Sequence, residues 1–281
     1  MINVMFAGNE KVFGGMTITL LSMVKHTKCP INAYLLTMKL DEIDKRFVPI
    51  SEEQRKSLEK ILTEVNPKSS LKLIDLTDLF KEKMIDSVNI RSKFTPYSML
   101  RLFADLLPDI PDKVIYLDTD VVVNNDIEPF FNMDIENYEL AAVKDAFNWS
   151  DPKRWFMKFY FNAGVLLLNI KKIKETKMFE KTRKYCRYRK MLYMDQDALN
   201  LSAKKVLRLP LKYNSKDKYY PEIVLHHFCN VREGKVFLIG KWWHRIKPWE
   251  VDFVKTKTHA YDDILDKYQL LMKEFQQKNA D

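Results

Sequence analysis

Short apolar runs alternate with helical periodicity through the first 120 or so residues, and this alternation does most to narrow the fold. "INVMFAG" reads as a buried strand ending at Gly8, "GGMTITLLSMVKHT" has helical spacing, and "INAYLLTM" is a second apolar run. A charged helix is predicted from about Ser51 to Val65, since Ser51 is followed by Glu52 and Glu53 in what would be its first turn. "LKLIDL" is a third strand. "YSMLRLFADLLP" repeats the helical pattern, stops at Pro108 and leads into "KVIYLD". Strands alternating with helices predict an α/β domain on a mixed, mostly parallel, Rossmann-like sheet, whose first part resembles a nucleotide-binding unit.

The second half continues with "YELAAVKD", "YFNAGVLLLNI", a basic helical region, "DQDALNLSAKK", "LPLKYN" and "EIVLHHF". The chain ends in "AYDDILDKYQLLMKEFQQ", where Ile264, Leu265, Tyr268, Leu271, Met272 and Phe275 recur at helical spacing. No repeat or low-complexity linker divides the chain. With 281 residues and 46% hydrophobic content it can bury one large core. No window approaches the ~18 apolar residues of a membrane span. "MINVMFAGNE" lacks the features of a secretory signal, and three cysteines (Cys29, Cys186, Cys229) make neither a disulfide framework nor a CxxC site. A cytoplasmic location is expected.

In "VIYLDTDVVV" two aspartates interrupt an apolar run. In open α/β sheets ligands bind beyond the carboxyl ends of strands, which is where Asp118 and Asp120 fall. Being two apart, they can face one side, with Thr119 turned away. Two like charges this close repel unless a cation lies between them or each is paired. A hard divalent ion with oxygen ligands, Mg²⁺ or Mn²⁺, answers that problem and usually accompanies a phosphate-bearing substrate. An Asp-x-Asp phosphatase with one aspartate as nucleophile is the alternative, but that motif normally opens its domain, and here more than 100 residues precede it.

The surrounding pieces extend the argument. "VMFAGNE", "YSMLRLF", "KVIYLDTDVVV", "YFNAGVLLLNI", "MDQDALN", "LHHFC" and "KPW" occur in this order from Val4 to Trp249. In this the chain resembles glycosyltransferase family 8, retaining galactosyl- and glucosyltransferases of the A-type fold that include bacterial lipopolysaccharide enzymes. The resemblance implies transfer of galactose or glucose from UDP-galactose or UDP-glucose to a saccharide or glycolipid acceptor, with Mn²⁺ or Mg²⁺. It implies a transferase domain over residues 1–250, with a nucleotide-binding half to 123 and a sugar and acceptor half from 124, then a helical tail over 251–281. A catalytically inactive member acting as a binding module is a further alternative.

The resemblance also implies roles for single residues. Ala7, Gly8 and Asn9 would flank the nucleotide base, although relatives often carry an acidic residue where Gly8-Asn9 stands. Arg101, inside an apolar helical pattern, would meet the nucleotide sugar or support the acidic motif, since a buried guanidinium needs an anion. Asp118 and Asp120 would ligate the metal, with Thr119 near the ribose. His227 would be the third ligand; on an alternating strand only one of His226 and His227 can face the cleft. Asn162 would bind donor hydroxyls, with Ala163 and Gly164 allowing close approach, and Asp145 would lie near sugar or acceptor. Asp195 and Gln196 would grip the sugar and steady its oxocarbenium-like charge, while Asp197 is equally a first-turn acid. Lys247 would meet the diphosphate. "NVREGKVFLIGKWWHRI" separates "HHFC" from "KPW" and brings His244 close to Lys247, so His244 competes with His227 for the metal. With no clear nucleophile, front-face attack is the expected retaining mechanism.

The net charge of +9 concentrates between Lys171 and Lys190, where ten Lys/Arg face two Glu. No nucleic-acid recognition motif accompanies this charge, so nucleic acid is not an expected partner. The segment is either a solvated helix face or, with Trp242 and Trp243, a peripheral contact with the inner membrane face. Reversing Lys181, Arg183 and Lys184 would test the contact.

Overall fold

A computed structural model describes residues 1–92, 95–145, 159–216, 219–229, 232–233, 236–237, 240–241 and 244–278, with side chains from 232 to 245 left aside. A seven-stranded sheet runs in the order β3-β2-β1-β4-β7-β6-β8. Its strands are β1 (Ile2–Ala7), β2 (Ile31–Thr37), β3 (Ser70–Asp75), β4 (Lys113–Leu117), β6 (Leu140–Lys144), β7 (Phe161–Asn169) and β8 (Val206–Leu209). β3, β2, β1 and β4 are parallel, β7 lies antiparallel between β4 and β6, and β6 pairs in parallel with β8. The predicted mixed, mostly parallel sheet is present, with its antiparallel member β7 next to the central strand β4.

Alternation along the strands sorts side chains into two cores. Val4 and Phe6 of β1, and Ile115 and Leu117 of β4, pack with α1 (Phe13–His26) and α2 (Glu52–Val65). Met5, Val114 and Tyr116 face the opposite layer. That layer holds the 3₁₀ segment Pro96–Leu106, α5 (Ile170–Thr176), α6 (Met178–Tyr188) and α7 (Met194–Ser202). The predicted helix over "YSMLRLFADLLP" is therefore wound in the tighter 3₁₀ form. α2 opens as its sequence signals: Ser51 and Gln54 form a reciprocal capping box. The remaining helices are α3 (Thr77–Met84), α4 (Glu128–Phe131), α8 (Val251–Lys257) and α9 (Asp262–Lys278). α9 lays its predicted apolar stripe along the first core, with Phe275 4.5 Å from Phe13 between ring centroids. No helix among the described residues is long and apolar enough to cross a membrane.

The basic segment forms α5 and α6 and is amphipathic. Lys172 pairs with Glu175, Lys184 with Glu180, and Arg187 with Asp86. Arg183, expected to be a surface charge, is buried: its guanidinium donates to both oxygens of Asp105, 2.5 and 3.0 Å away, and to the Leu102 carbonyl. Reversing Arg183 would therefore break the core and is no test of a surface. Trp242 and Trp243 lie outside the described residues. Removing one member of a buried ion pair leaves the other uncompensated. Arg183→Ala is accordingly expected to cost about 3–5 kcal/mol in urea unfolding, whereas Lys184→Ala, on the exposed face, should leave the midpoint almost unchanged.

Candidate functional site

The strand parity that builds the sheet also builds the site. Asp118 follows β4 with the parity of Val114 and Tyr116, so it turns toward the layer holding the 3₁₀ segment. There it accepts hydrogen bonds from Arg101 Nη2 and Tyr116 Oη, both at 2.9 Å. Thr119 turns back toward α1, where its carbonyl and the Trp249 ring close on Gly15. Next comes β5 (Val121–Val123), which leaves the main sheet and pairs antiparallel with β9 (Leu225–His227), Val121 opposite His227 and Val122 opposite His226. This register sets His227 beside Asp120 and sends His226 to the other face, where its Nδ1 lies 2.6 Å from Tyr261 Oη.

His227 Nε2 lies 3.1 Å from Asp120 Oδ1 and 3.8 Å from Asp118 Oδ2. Lys247 Nζ donates to Asp120 Oδ2 at 2.5 Å. Among the described residues these three, Asp118, Asp120 and His227, form the one group able to hold a metal ion, with one ligand atom of each within 4.8 Å of the others. Gly164 on β7 makes room for it, because a Cβ there would fall against His227 Cε1 and within 2.6 Å of Asp118 Oδ2. Two carboxylate oxygens and one imidazole nitrogen, converging over a glycine, fit a divalent cation. The side chain of His244 lies outside the described residues.

Electrostatics follow from this crowding. Burial alone would raise the Asp120 pKa, but His227 and Lys247 outweigh it and hold the carboxyl well below the usual range. Burial works against charge on the His227 ring, yet Cys229 and Asp120 push it up to about 10. Burial also opposes charge on Arg101, and Tyr116, Asp118 and Asp195 more than offset it, raising its pKa. Arg101 is 3% exposed, so the predicted buried guanidinium with its anion is present. It sits 3.9 Å over the Tyr116 ring, donates to the Ser98 and Ala163 carbonyls, and reaches Asp195 at 3.2 Å. Asp195 also accepts from Ser98 Oγ at 3.0 Å, and burial raises its pKa.

A second group of candidates continues from β7. Asn162 Nδ2 donates to Gln196 Oε1 at 3.0 Å, and Gln196 Nε2 donates to Asp145 Oδ2 at 2.9 Å. Asp145 is ion-paired with Lys216. Asp197 accepts from the Tyr160 hydroxyl and from the Tyr193 amide, which makes it a first-turn acid of α7. Nine of the singled-out residues thus join one cleft: Arg101, Asp118, Asp120, Asp145, Asn162, Asp195, Gln196, His227 and Lys247; Thr119 lies between the two aspartates and turns away from it. Ala7, Gly8 and Asn9 end the neighbouring strand β1 without a hydrogen bond to this network, and the buried Asn9 amide donates to the Arg46 carbonyl. Ser98, Tyr116, Asn214 and Lys216 also belong to the cleft; sequence reading does not find them, because isolated polar residues there carry no spacing signal.

His226 yields a test of the register. Burial, with His227 adding to it, pushes its pKa from 6.5 to about 4. Between those values the unfolded chain binds more protons at this ring than the folded one, so the stability this ring contributes falls as pH drops from about 6.5 to about 4 and is constant above that window. The urea midpoint of the wild type should fall further across this window than that of His226→Gln.

Comparison with known proteins accords with this geometry. The sequence profile described as glycosyl transferase family 8 matches residues 3–252. A Haemophilus influenzae protein named as a glycosyltransferase is 26% identical over 271 residues, covering 87% of this chain and 73% of its own length. The lipopolysaccharide 1,2-glucosyltransferase of Escherichia coli K12 is 35% identical over 127 residues, 41% of this chain and 37% of its own length. The galactosyltransferase LgtC, crystallised in complex with donor and acceptor sugar analogues, superposes with a TM-score of 0.67 at 20% identity, over 97% of this chain and 96% of that one. That superposition identifies the sheet and its helices as the A-type glycosyltransferase fold. A profile match running from residue 3 to residue 252 makes the chain a member of glycosyltransferase family 8.

Proposed function

We propose that this glycosyltransferase moves a hexose, galactose or glucose, from a UDP-sugar to a hydroxyl of a saccharide acceptor, with retention and with dependence on a divalent cation. The observation that carries this reading is the convergence of Asp118, Asp120 and His227 at the carboxyl end of β4, joined through one hydrogen-bonded network to Asn162, Gln196 and Asp145. The named activities of the Escherichia coli glucosyltransferase and of the structural neighbour LgtC, a galactosyltransferase, support the sugar class.

Asp118, Asp120 and His227 would hold Mn²⁺ or Mg²⁺, which when bound supplies positive charge against the negative charge that grows on a leaving diphosphate. Lys247 supplies a second positive charge from the same side, and in its present position it neutralises Asp120. Arg101 fixes the Asp118 carboxylate from behind and so aims its other oxygen, Oδ2, at the cluster. Asn162, Gln196 and Asp145 present amide and carboxylate groups suited to sugar hydroxyls.

Retention by double displacement would require a free nucleophile. Asp195 is 7% exposed and held by Ser98 and Arg101, and Gln196 Oε1 already accepts from Asn162 Nδ2 and the Ala163 amide. Both facts favour front-face attack. The acceptor oxygen bonds the anomeric carbon on the face where the bond to phosphate breaks, and the departing phosphate oxygen keeps that electron pair and takes the acceptor's proton.

UDP release from UDP-galactose and UDP-glucose with Mn²⁺ tests the reading. Turnover should fall at least about a hundredfold in Asp120→Asn, on the scale of losing a main electrostatic group. Aryl-phosphate hydrolysis alone would indicate a phosphatase, and no turnover in the wild type would indicate a binding module. Mass spectrometry of the enzyme quenched during turnover should find no glycosyl adduct on Asp195; an adduct there would overturn front-face attack.

A further inference from the structure

A three-residue stretch beside β9 ties the two ends of the cleft together. Ser215 accepts a hydrogen bond from the His227 amide, and its own amide donates to the Leu225 carbonyl, so Asn214 to Lys216 runs extended along that strand. In an extended chain alternate side chains share a face. Asn214 and Lys216 therefore both enter the cleft, Asn214 at His227 and Lys216 at Asp145. Asn214 is completely buried.

The orientation of the Asn214 amide follows from a backbone group that can act in one sense alone. The Gly164 amide donates to Asn162 Oδ1 at 3.0 Å, which makes that atom an acceptor. Asn214 lies 2.9 Å from the same oxygen and must offer it Nδ2. Asn214 Oδ1 is thereby turned to His227 Nδ1, 3.1 Å away, and Nδ1 must carry the hydrogen. With Nδ1 carrying its hydrogen, Nε2 is the ring atom turned to Asp118 and Asp120: it carries a proton in the ion pair with Asp120 and presents its lone pair once a cation takes that proton's place. A parallel relation fixes Gln196: the Ala163 amide donates to its Oε1, so its Nε2 is the group offered to Asp145.

We infer that Asn214 is a positioning residue that sets the tautomer of His227 and the aim of Asn162 with one side chain, so that cation affinity and the sugar-facing amide are built by the same group. The inference rests on the proposed reading of the cleft as a cation and nucleotide-sugar site. Groups that orient a ligating imidazole through its second nitrogen usually matter about 10–100-fold in metal affinity. Asn214 does so here while also donating to a residue on β7. Lys216 acts beside it by holding Asp145.

Titration of the donor-free protein with Mn²⁺, read by the electron paramagnetic resonance signal of the free ion, tests this. Asn214→Leu keeps the approximate volume and removes both hydrogen bonds, and its Mn²⁺ dissociation constant should rise about 10–100-fold. Asn214→Asp keeps an oxygen for His227 Nδ1 but cannot donate to Asn162. It should bind Mn²⁺ about as well as the wild type, while kcat for UDP-sugar hydrolysis falls. A purely structural role would not separate the two substitutions. Wild-type affinity in Asn214→Leu, or equal loss of Mn²⁺ in both variants, overturns the inference. If Asn214→Leu does not fold, Asn214→Asp decides alone: retained affinity with slowed hydrolysis supports it, and lost affinity overturns it. Asp120→Asn is the control: its binding Mn²⁺ like the wild type, or the wild type binding none, overturns the cation reading and the inference with it.

Discussion

Two carboxylates at the end of one strand repel, and the arrangement of the cleft is a set of answers to that repulsion. Asp118 is answered from beneath by Arg101 and Tyr116, and Asp120 from above by His227 and Lys247. Each compensating group comes from a different element: the 3₁₀ segment, β4, β9 and the loop before α8. The charges therefore determine how these elements meet. An isolated buried carboxylate would protonate or drag in water, whereas one with two cationic or donor partners stays ionised. The same carboxylates suit a divalent cation, because one ion would answer Asp118 and Asp120 together where Lys247 and a protonated His227 now answer Asp120.

Much of this is visible in sequence because the responsible signals are local. The capping residues of α2 announce its start, the parity of "KVIYLD" places Asp118 past the end of β4, and the apolar stripe of "ILDKYQLLMKEF" marks the docking face of α9. The pairing of adjacent histidines was also legible as an alternation, since neighbours on a strand must face opposite ways. Which of them meets the acid pair depends on the register of β5 against β9, two segments about a hundred residues apart, and no local pattern carries that.

The parts that stayed hidden share a physical cause. Asn214 and Lys216 lie in an irregular stretch where neither helical nor strand periodicity marks an inward face, so their roles emerge once β9 is alongside. Arg183 stands in a run of basic residues that looks uniformly solvated, yet the helix turns it inward to Asp105 while its neighbours stay outside. Charge counted along a segment averages over the faces of a helix. At Gly164 the expectation is close approach of backbone and sugar, and the atoms that crowd it are side-chain atoms of His227 and Asp118.

Asp118, Asp120 and His227 are proposed to hold one divalent cation together. Anomalous diffraction from a crystal soaked with UDP and Mn²⁺ tests this most directly. One strong manganese peak is expected within bonding distance, about 2.0–2.3 Å, of Asp118 Oδ2, Asp120 Oδ1 and His227 Nε2. A peak ligated by other residues, or no peak while Lys247 remains on Asp120, would contradict it.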